Sequence, residues 1–208
     1  MSLTLWDHPD SSNALKVRFL LAELGLDYER RTVPMTRPRP DEYLAVNPLS
    51  GIPTLDDGDL RVSESHAILR YLATREGRDD LYPSDARERA KVDEWLERFN
   101  TRLRTPFFRV EMVALGWSLA AGFEPDKGDL EKAKEVVPQI AADVQLLDDL
   151  SGADFAVLGR FTIADCALAP ILHRTTLTGH DLSAYPNLLA LRASILARPA
   201  WAAAEPAL

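Results

Sequence analysis

Cysteine is nearly absent: Cys166 is the single one in 208 residues. That excludes an internal disulfide and points to a reducing compartment, the cytoplasm, as the expected location. Histidine is scarce too. The four, His8, His66, His173 and His180, fall at no metal-ligand spacing, so no metal site is expected. No apolar run reaches the roughly 18 residues that a membrane span needs. The opening MSLTLWDHPD lacks a basic stretch followed by an apolar block, so no secretory signal is expected either. Positive charge is in deficit. Twenty-four Lys and Arg against 32 Asp and Glu leave a net charge of −8, a field that repels phosphate backbones and argues against a nucleic-acid partner.

What remains is ordinary globular composition, long enough for one large domain or two small ones. Residues 2–6 alternate polar and apolar like a half-buried strand. Residues 12–25 place Leu15, Val17, Leu20, Leu21 and Leu24 on one face of an amphipathic helix, and Gly25 suits its C-cap. Residues 28–33 read as a second strand. A proline-rich loop with a short helix follows, then two short strands joined through Asp57-Gly58, a hairpin signal. A helix opens at Ser63. This β-α-β, β-β-α order predicts a small α/β domain over residues 1–78. The polar stretch around Gly77 and Pro83 marks a boundary. Residues 84–208 read as helix throughout, with spans at 84–104, 129–150, 162–177 and 187–197.

Four stretches bear chemical readings. Pro53, after Gly51 and Ile52, opens a strand. A trans proline would merely start an edge strand; a cis one would leave the Ile52 backbone facing outward, able to pair with an extended ligand. Ser63, Glu64 and Ser65 open a helix, which reads either as capping or as a clamp for an amino-acid head group. Thr162 to Asp165 form a capping box before an apolar run, a structural feature, with Cys166 a small core residue. Ser11 and Ser12 stand at a helix start, where a hydroxyl either caps the helix or donates to an anion.

In chain order, SSNALKVR, NPLSGIPTL, ESHAILRYL, FTIADCALAP and the closing YPNLLALRASILARPAW resemble the cytosolic glutathione transferase superfamily, specifically its serine-type, phi/theta-like bacterial members. The resemblance spans nearly the whole chain. It implies an α/β thioredoxin-like N-terminal domain followed by an all-α glutathione-transferase C-terminal domain, with glutathione as co-substrate. It implies a cis Pro53, with the Ile52 backbone pairing with the cysteinyl unit. Glu64 and Ser65 would hold the γ-glutamyl end, and Arg39 or Arg37 would meet the glycine carboxylate. Ser11 would donate to the glutathione sulfur, with Ser12 as the competing donor.

The electrophile pocket would draw on His8, Pro9, Phe107, Phe108 and Met112, with Trp117 and Trp201 as further candidates; such a lining suits small hydrophobic electrophiles. Gly51 stands where relatives often carry Gln or Lys, and His66 where Arg is common. Asn13 replaces the cysteine of the maleylacetoacetate isomerases, which speaks against that activity. The expected function is conjugation of the glutathione thiolate to an electrophile by a homodimer. The alternatives are a glutathione-dependent isomerase, dehalogenase or peroxidase, or a non-catalytic partner-binding module.

Overall fold

A computed structural model describes residues 2–36, 38–104, 145, 148–149, 154–177 and 181–204. Its first part is a four-stranded mixed sheet with strand order β2-β1-β3-β4, built from β1 (Leu3–Asp7), β2 (Tyr28–Thr32), β3 (Thr54–Asp57) and β4 (Leu60–Ser63). β1 and β2 are parallel, joined by α1 (Ser12–Leu24) as a βαβ crossover; β3 runs antiparallel to β1 and β4. A short α2 (Asp41–Val46) lies between β2 and β3, and α3 (Ser65–Arg75) follows β4. This is the thioredoxin-like βαβαββα order expected from the sequence.

Turn chemistry placed these elements well. Gly25 ends α1 at φ 65°, in the left-handed region that a residue without Cβ adopts freely, and its N–H returns to the Ala22 carbonyl. The hairpin between β3 and β4 turns on Gly58, also at φ 65°.

The helical part contains α4 (Ala86–Arg98), capped by Asp85, whose carboxylate accepts from the N–H groups of Arg87 and Glu88. It continues as α5 (Ile163–Leu177), α6 (Pro186–Leu196) and α7 (Pro199–Ala204). The Thr162–Asp165 capping box forms. Asp165 accepts from the Thr162 N–H at 2.7 Å, and Thr162 Oγ1 accepts from the Ala164 N–H at 3.2 Å. Asp165 also accepts from the Ala156 N–H at 2.8 Å, pinning the preceding loop. Cys166 is buried among the apolar side chains of α5, as expected.

Three sequence expectations need correction. The span 84–104 is not one α-helix: after Arg98 the backbone widens into a π-turn, Phe99–Leu103. Periodicity does not reveal that change, because α and π turns take the same residue types. The helix α7 was not anticipated, being too short to show a periodic pattern. And α1 is not amphipathic. Every residue from Ala14 to Leu21 is buried, Lys16 and Arg18 included, because α1 packs against α3, α5 and α7 at the centre of the molecule. The expected helix at 129–150 falls largely outside the described residues.

Burying Arg18 requires a partner, and Asp7 at the end of β1 provides it, 2.8 Å away through both carboxylate oxygens. Arg30 of β2 reaches the same carboxylate at 2.6 Å. The Arg18 guanidinium also donates to the carbonyls of His8, Pro9 and Ala204. One buried cation thus fixes the strand end, the loop leading to Ser11 and the helix α7. Removing Asp7 would leave Arg18 uncompensated in the interior, whereas Asp7 without Arg18 would keep Arg30.

Candidate functional site

Sheet register brings the sequence candidates together. Trp6 near the end of β1 pairs with Thr54 at the start of β3, and Thr54 pairs with Ser63 at the end of β4. The loop His8–Ser12, the Ile52-Pro53 peptide and the turn at Glu64-Ser65 therefore all emerge from the same end of the sheet. The loop that follows β2 begins there too, the Val33 N–H donating to the Asp7 carbonyl at 2.7 Å.

Ser11 is the N-cap of α1. Its Oγ accepts from the Ala14 N–H at 3.2 Å, which occupies one lone pair and leaves the hydroxyl proton to point away from the helix. Ser11 and Ser12 are both buried. Ser12 Oγ accepts a 2.8 Å hydrogen bond from Arg104 Nη2, and Arg104 Nε reaches Asn13 Oδ1 at 3.4 Å. A second arginine of the helical part, Arg174, donates to the Asp10 carbonyl at 2.7 Å. The first turn of α1 and its approach are thus held from the helical side by two guanidinium groups.

Ile52-Pro53 is a cis peptide, the form that the resemblance implied and that the residues alone left open. Its geometry is braced from α2: the Tyr43 hydroxyl and the Asn47 amide both donate to the Gly51 carbonyl, and both contact Thr54 Oγ1. Pro53 is buried and Ile52 half-buried. Among the described residues the Ile52 backbone has no hydrogen-bond partner, as a segment that pairs with an extended ligand requires.

Glu64 sits at φ 71° and ψ 115° between β4 and α3, a strained conformation for a residue with a side chain. It is exposed, its side chain makes no cap bond, and it precedes the buried Ser65 at the helix start.

Arg39 is buried and turned onto the loop itself. It donates to the carbonyls of Pro34 at 2.7 Å, Ser50 at 3.3 Å and Thr36 at 3.4 Å. It therefore ties the loop after β2 to the loop before β3. Arg37 lies outside the described residues.

Of the pocket candidates, His8 and Pro9 lie half-buried in the loop preceding Ser11. His8 is held below its ordinary pKa by burial, which outweighs the carboxylates of Asp10 and Asp7. Phe107, Phe108, Met112 and Trp117 lie outside the described residues. Trp201 is core: its ring meets Phe19 at 5.2 Å and His173 at 5.4 Å.

Sequence reasoning missed Lys16, Arg104 and Arg174 as members of this region, and noted His66 only as a departure. A lysine and an arginine inside the apolar run of α1 were the one visible signal.

A mixed thioredoxin-like sheet whose strand ends and helix N-termini converge on a cis-proline, followed by a helical domain, defines a thioredoxin-fold protein of the two-domain transferase type. The chain belongs to the glutathione S-transferase family. Residues 1–74 match the glutathione S-transferase N-terminal domain and residues 86–194 its C-terminal domain. The chain is 34% identical to glutathione S-transferase 3 of Zea mays, over 96% of this chain and 91% of that protein. It is 28% identical to glutathione S-transferase GstB of Escherichia coli K12, over 95% of each. Among solved structures, a glutathione S-transferase from Pseudomonas fluorescens superposes with a TM-score of 0.83 at 25% identity, covering 96% of this chain and 97% of that one.

Proposed function

We propose that this protein binds glutathione at the sheet end described above, stabilises its thiolate with the Ser11 hydroxyl and conjugates it to a small hydrophobic electrophile. The observation that carries the reading is the state of Ser11. Its oxygen is engaged by the Ala14 N–H, and its proton remains available at a helix N-terminus.

The energetics are adequate. A free thiol titrates near pH ~8.5, and lowering that by about two units takes roughly 2.7 kcal/mol. One hydrogen bond to a charged group contributes roughly 1.5–3 kcal/mol, and the helix end adds to it. No general base is needed. Rate then comes from presenting a pre-formed thiolate to the electrophile.

In this reading the Ile52 backbone pairs with the cysteinyl unit, and Ser65 with the turn at Glu64 receives the γ-glutamyl carboxylate and ammonium. Arg39 positions the surrounding loop, and Arg39 or Arg37 meets the glycine carboxylate. Ser12 serves Ser11 by fixing the first turn through Arg104. His8 and Pro9 face the electrophile. The working form is a cytoplasmic homodimer, and neither membrane nor nucleic acid takes part. Among the described residues no helix is long and apolar enough to cross a membrane.

The test is a titration of bound glutathione against pH, following the ultraviolet absorbance of the thiolate. Wild type is expected to bind glutathione with its thiol well below the free value, and Ser11→Ala to bind but lose that shift. A wild type that does not bind glutathione would sink the enzyme reading and favour a partner-binding module.

A further inference from the structure

The loop that delivers Ser11 is held through its backbone, and that backbone also orients the His8 ring. The Ser11 N–H closes a turn on the His8 carbonyl at 3.0 Å. Arg18 donates to the carbonyls of His8 at 3.3 Å and Pro9 at 3.1 Å, and Arg174 to that of Asp10 at 2.7 Å. Every carbonyl from His8 to Asp10 is therefore engaged, and the turn keeps the Cα atoms of His8 and Ser11 within about 7 Å.

One contact fixes the ring. The Asp10 N–H donates to His8 Nδ1 at 3.2 Å. An N–H needs a lone pair to receive it, so Nδ1 accepts and the ring proton resides on Nε2. Nε2 makes no hydrogen bond among the described residues, and the side chain keeps 19% of its surface open, enough for a ligand to reach it. The charged groups around the ring are Asp10, whose carboxylate stands 3.8 Å from Nδ1, together with Asp7, Arg39 and Arg30. Burial outweighs the two carboxylates and holds the pKa below the ordinary 6.5. Above that pH the ring is a neutral donor at Nε2.

A neutral N–H donor beside a nucleophile serves electrophiles that build charge on oxygen. When a thiolate adds to an α,β-unsaturated carbonyl compound, sulfur bonds to the β-carbon and the alkene π pair moves toward the carbonyl. The carbonyl oxygen, on the second carbon beyond the attacked one, takes the negative charge. Its donor must therefore stand to one side of the sulfur, as His8 stands one turn of chain from Ser11. We propose that His8 is a second catalytic residue of this site: its Nε2–H binds the oxygen of a carbonyl-activated alkene and holds the charge that conjugate addition places there. The proton on Nε2 stays in place. Water protonates the α-carbon, and the hydroxide left is neutralised by the proton that glutathione released on ionising. No group leaves, and nothing is oxidised or reduced. An alkyl halide, whose charge departs with the halide, gains little from the same donor, so His8 tunes the site toward unsaturated carbonyl compounds. The proposal rests on the Ser11 reading, which supplies the thiolate.

The experiment compares wild type, His8→Phe, His8→Gln and Ser11→Ala on two probes of similar size, benzylideneacetone and benzyl chloride. The readout is the ratio of their kcat/KM values, followed across pH. His8→Phe keeps a ring and removes the donor, and the ratio is expected to fall about tenfold or more in favour of the halide. His8→Gln, whose amide N–H reaches the place of Nε2, should recover part of that loss. In wild type the ratio should stay level above pH 6.5, since a neutral ring has no proton to lose there. Ser11→Ala should slow both probes alike, because both need the thiolate.

An unchanged ratio in His8→Phe overturns the proposal, as does failure of wild type to conjugate benzylideneacetone. A ratio that falls as pH rises through 6.5 overturns it too, since the charged ring would then be the donor. Should His8→Phe not fold, nitrogen NMR of the wild-type ring decides. With the glutathione adduct of benzylideneacetone bound, Nε2 is expected to be protonated and its signal displaced; a proton on Nδ1, or an Nε2 signal that the adduct leaves unmoved, overturns the assignment. Ser11→Ala separates the two levels. If it slows both probes while His8→Phe leaves the ratio unchanged, only this inference falls. If wild type does not bind glutathione, the underlying reading falls with it.

Discussion

Arg104 Nη2 donates to Ser12 Oγ across 2.8 Å, joining residues 92 apart in sequence and attaching the helical domain to the first turn of α1. The bond is charge-assisted and partly shielded from water. Arg104→Ala is therefore expected to cost about 1–3 kcal/mol of stability, read as a shift in urea midpoint. It should also lower kcat/KM several-fold by loosening the turn that carries Ser11. Arg104→Lys keeps the charge but not the fork that spans Ser12 and Asn13, and should fall between the two.

The two serines are expected to separate cleanly. Ser11→Ala removes both the helix cap, worth about 1 kcal/mol, and the proposed thiolate donor. Its kcat/KM near neutral pH should drop by roughly one to two orders of magnitude, the rate equivalent of 1.5–3 kcal/mol. The deficit should narrow at alkaline pH, where glutathione ionises unaided. Ser12→Ala leaves the cap at Ser11 intact and should lose less than about tenfold, with no pH dependence of the loss. Steady-state kinetics across pH distinguish the two. A larger, pH-dependent loss in Ser12→Ala would reassign the donor.

Much of the α/β part was legible because its signals are local. Alternation marked the strands, Asp57-Gly58 the hairpin and Gly25 the end of α1. Features that depend on distant partners were not. Lys16 in the apolar run of α1 contacts His66, 50 positions away, which no local window announces; Arg18 pairs with Asp7 only 11 positions away, but on a different element, so helical periodicity does not reveal it. The cis form of Ile52-Pro53 was likewise unreadable from the residues themselves, since the two isomers differ intrinsically by only about 0.5–1 kcal/mol. The carbonyl of Gly51, just before it, accepts from Tyr43 and Asn47, contacts that lie outside any local window. The resemblance to a known family conveyed that tertiary information where pattern reading stopped.

Glu64 carries a conformational cost. At φ 71° a residue with a Cβ bears strain on the order of 1 kcal/mol. Glu64→Gly relieves it, though glycine returns about 0.5–1 kcal/mol as unfolded-state entropy. The stability of Glu64→Gly, by denaturant unfolding, should therefore match wild type within about 1 kcal/mol. Its glutathione affinity should fall tenfold or more, since the carboxylate proposed to meet the γ-glutamyl ammonium is gone. Undiminished affinity by calorimetry would remove Glu64 from the site.

Leu49 projects from the loop before β3 with 81% of its surface exposed. In the homodimer proposed above, this exposed side chain is a candidate for the contact between the two copies. Leu49→Asp should raise the dimer dissociation constant at least tenfold in sedimentation, with the folded monomer retained. No change would move the self-association surface elsewhere.

Two buried groups of opposite sign should shape the acid stability of the fold. His66 is neutral when folded, its pKa held at about 2, whereas in the unfolded chain it takes a proton below about 6.5. Its contribution to stability is full above that value and is lost as pH falls. Asp165 is pushed up to about 6 by burial, which outweighs its hydrogen bonds from Ala156 and Thr162, against 3.8 when unfolded. Its contribution is full below 3.8 and is lost as pH rises through about 6. Each slope is about 1.4 kcal/mol per pH unit, so across the interval from about 4 to 6 the two largely cancel. Single substitutions should unmask them. Relative to wild type, Asp165→Asn should gain stability with rising pH across that interval, and His66→Gln should lose it. The double variant should run parallel to wild type, because slopes from ion-paired surface carboxylates are common to all four proteins. Urea unfolding at several pH values within the interval reads these differences directly. Parallel curves for both single variants would mean that neither group titrates apart from its unfolded value, and the buried Lys16–His66 pair would then lose its claim to a neutral ring.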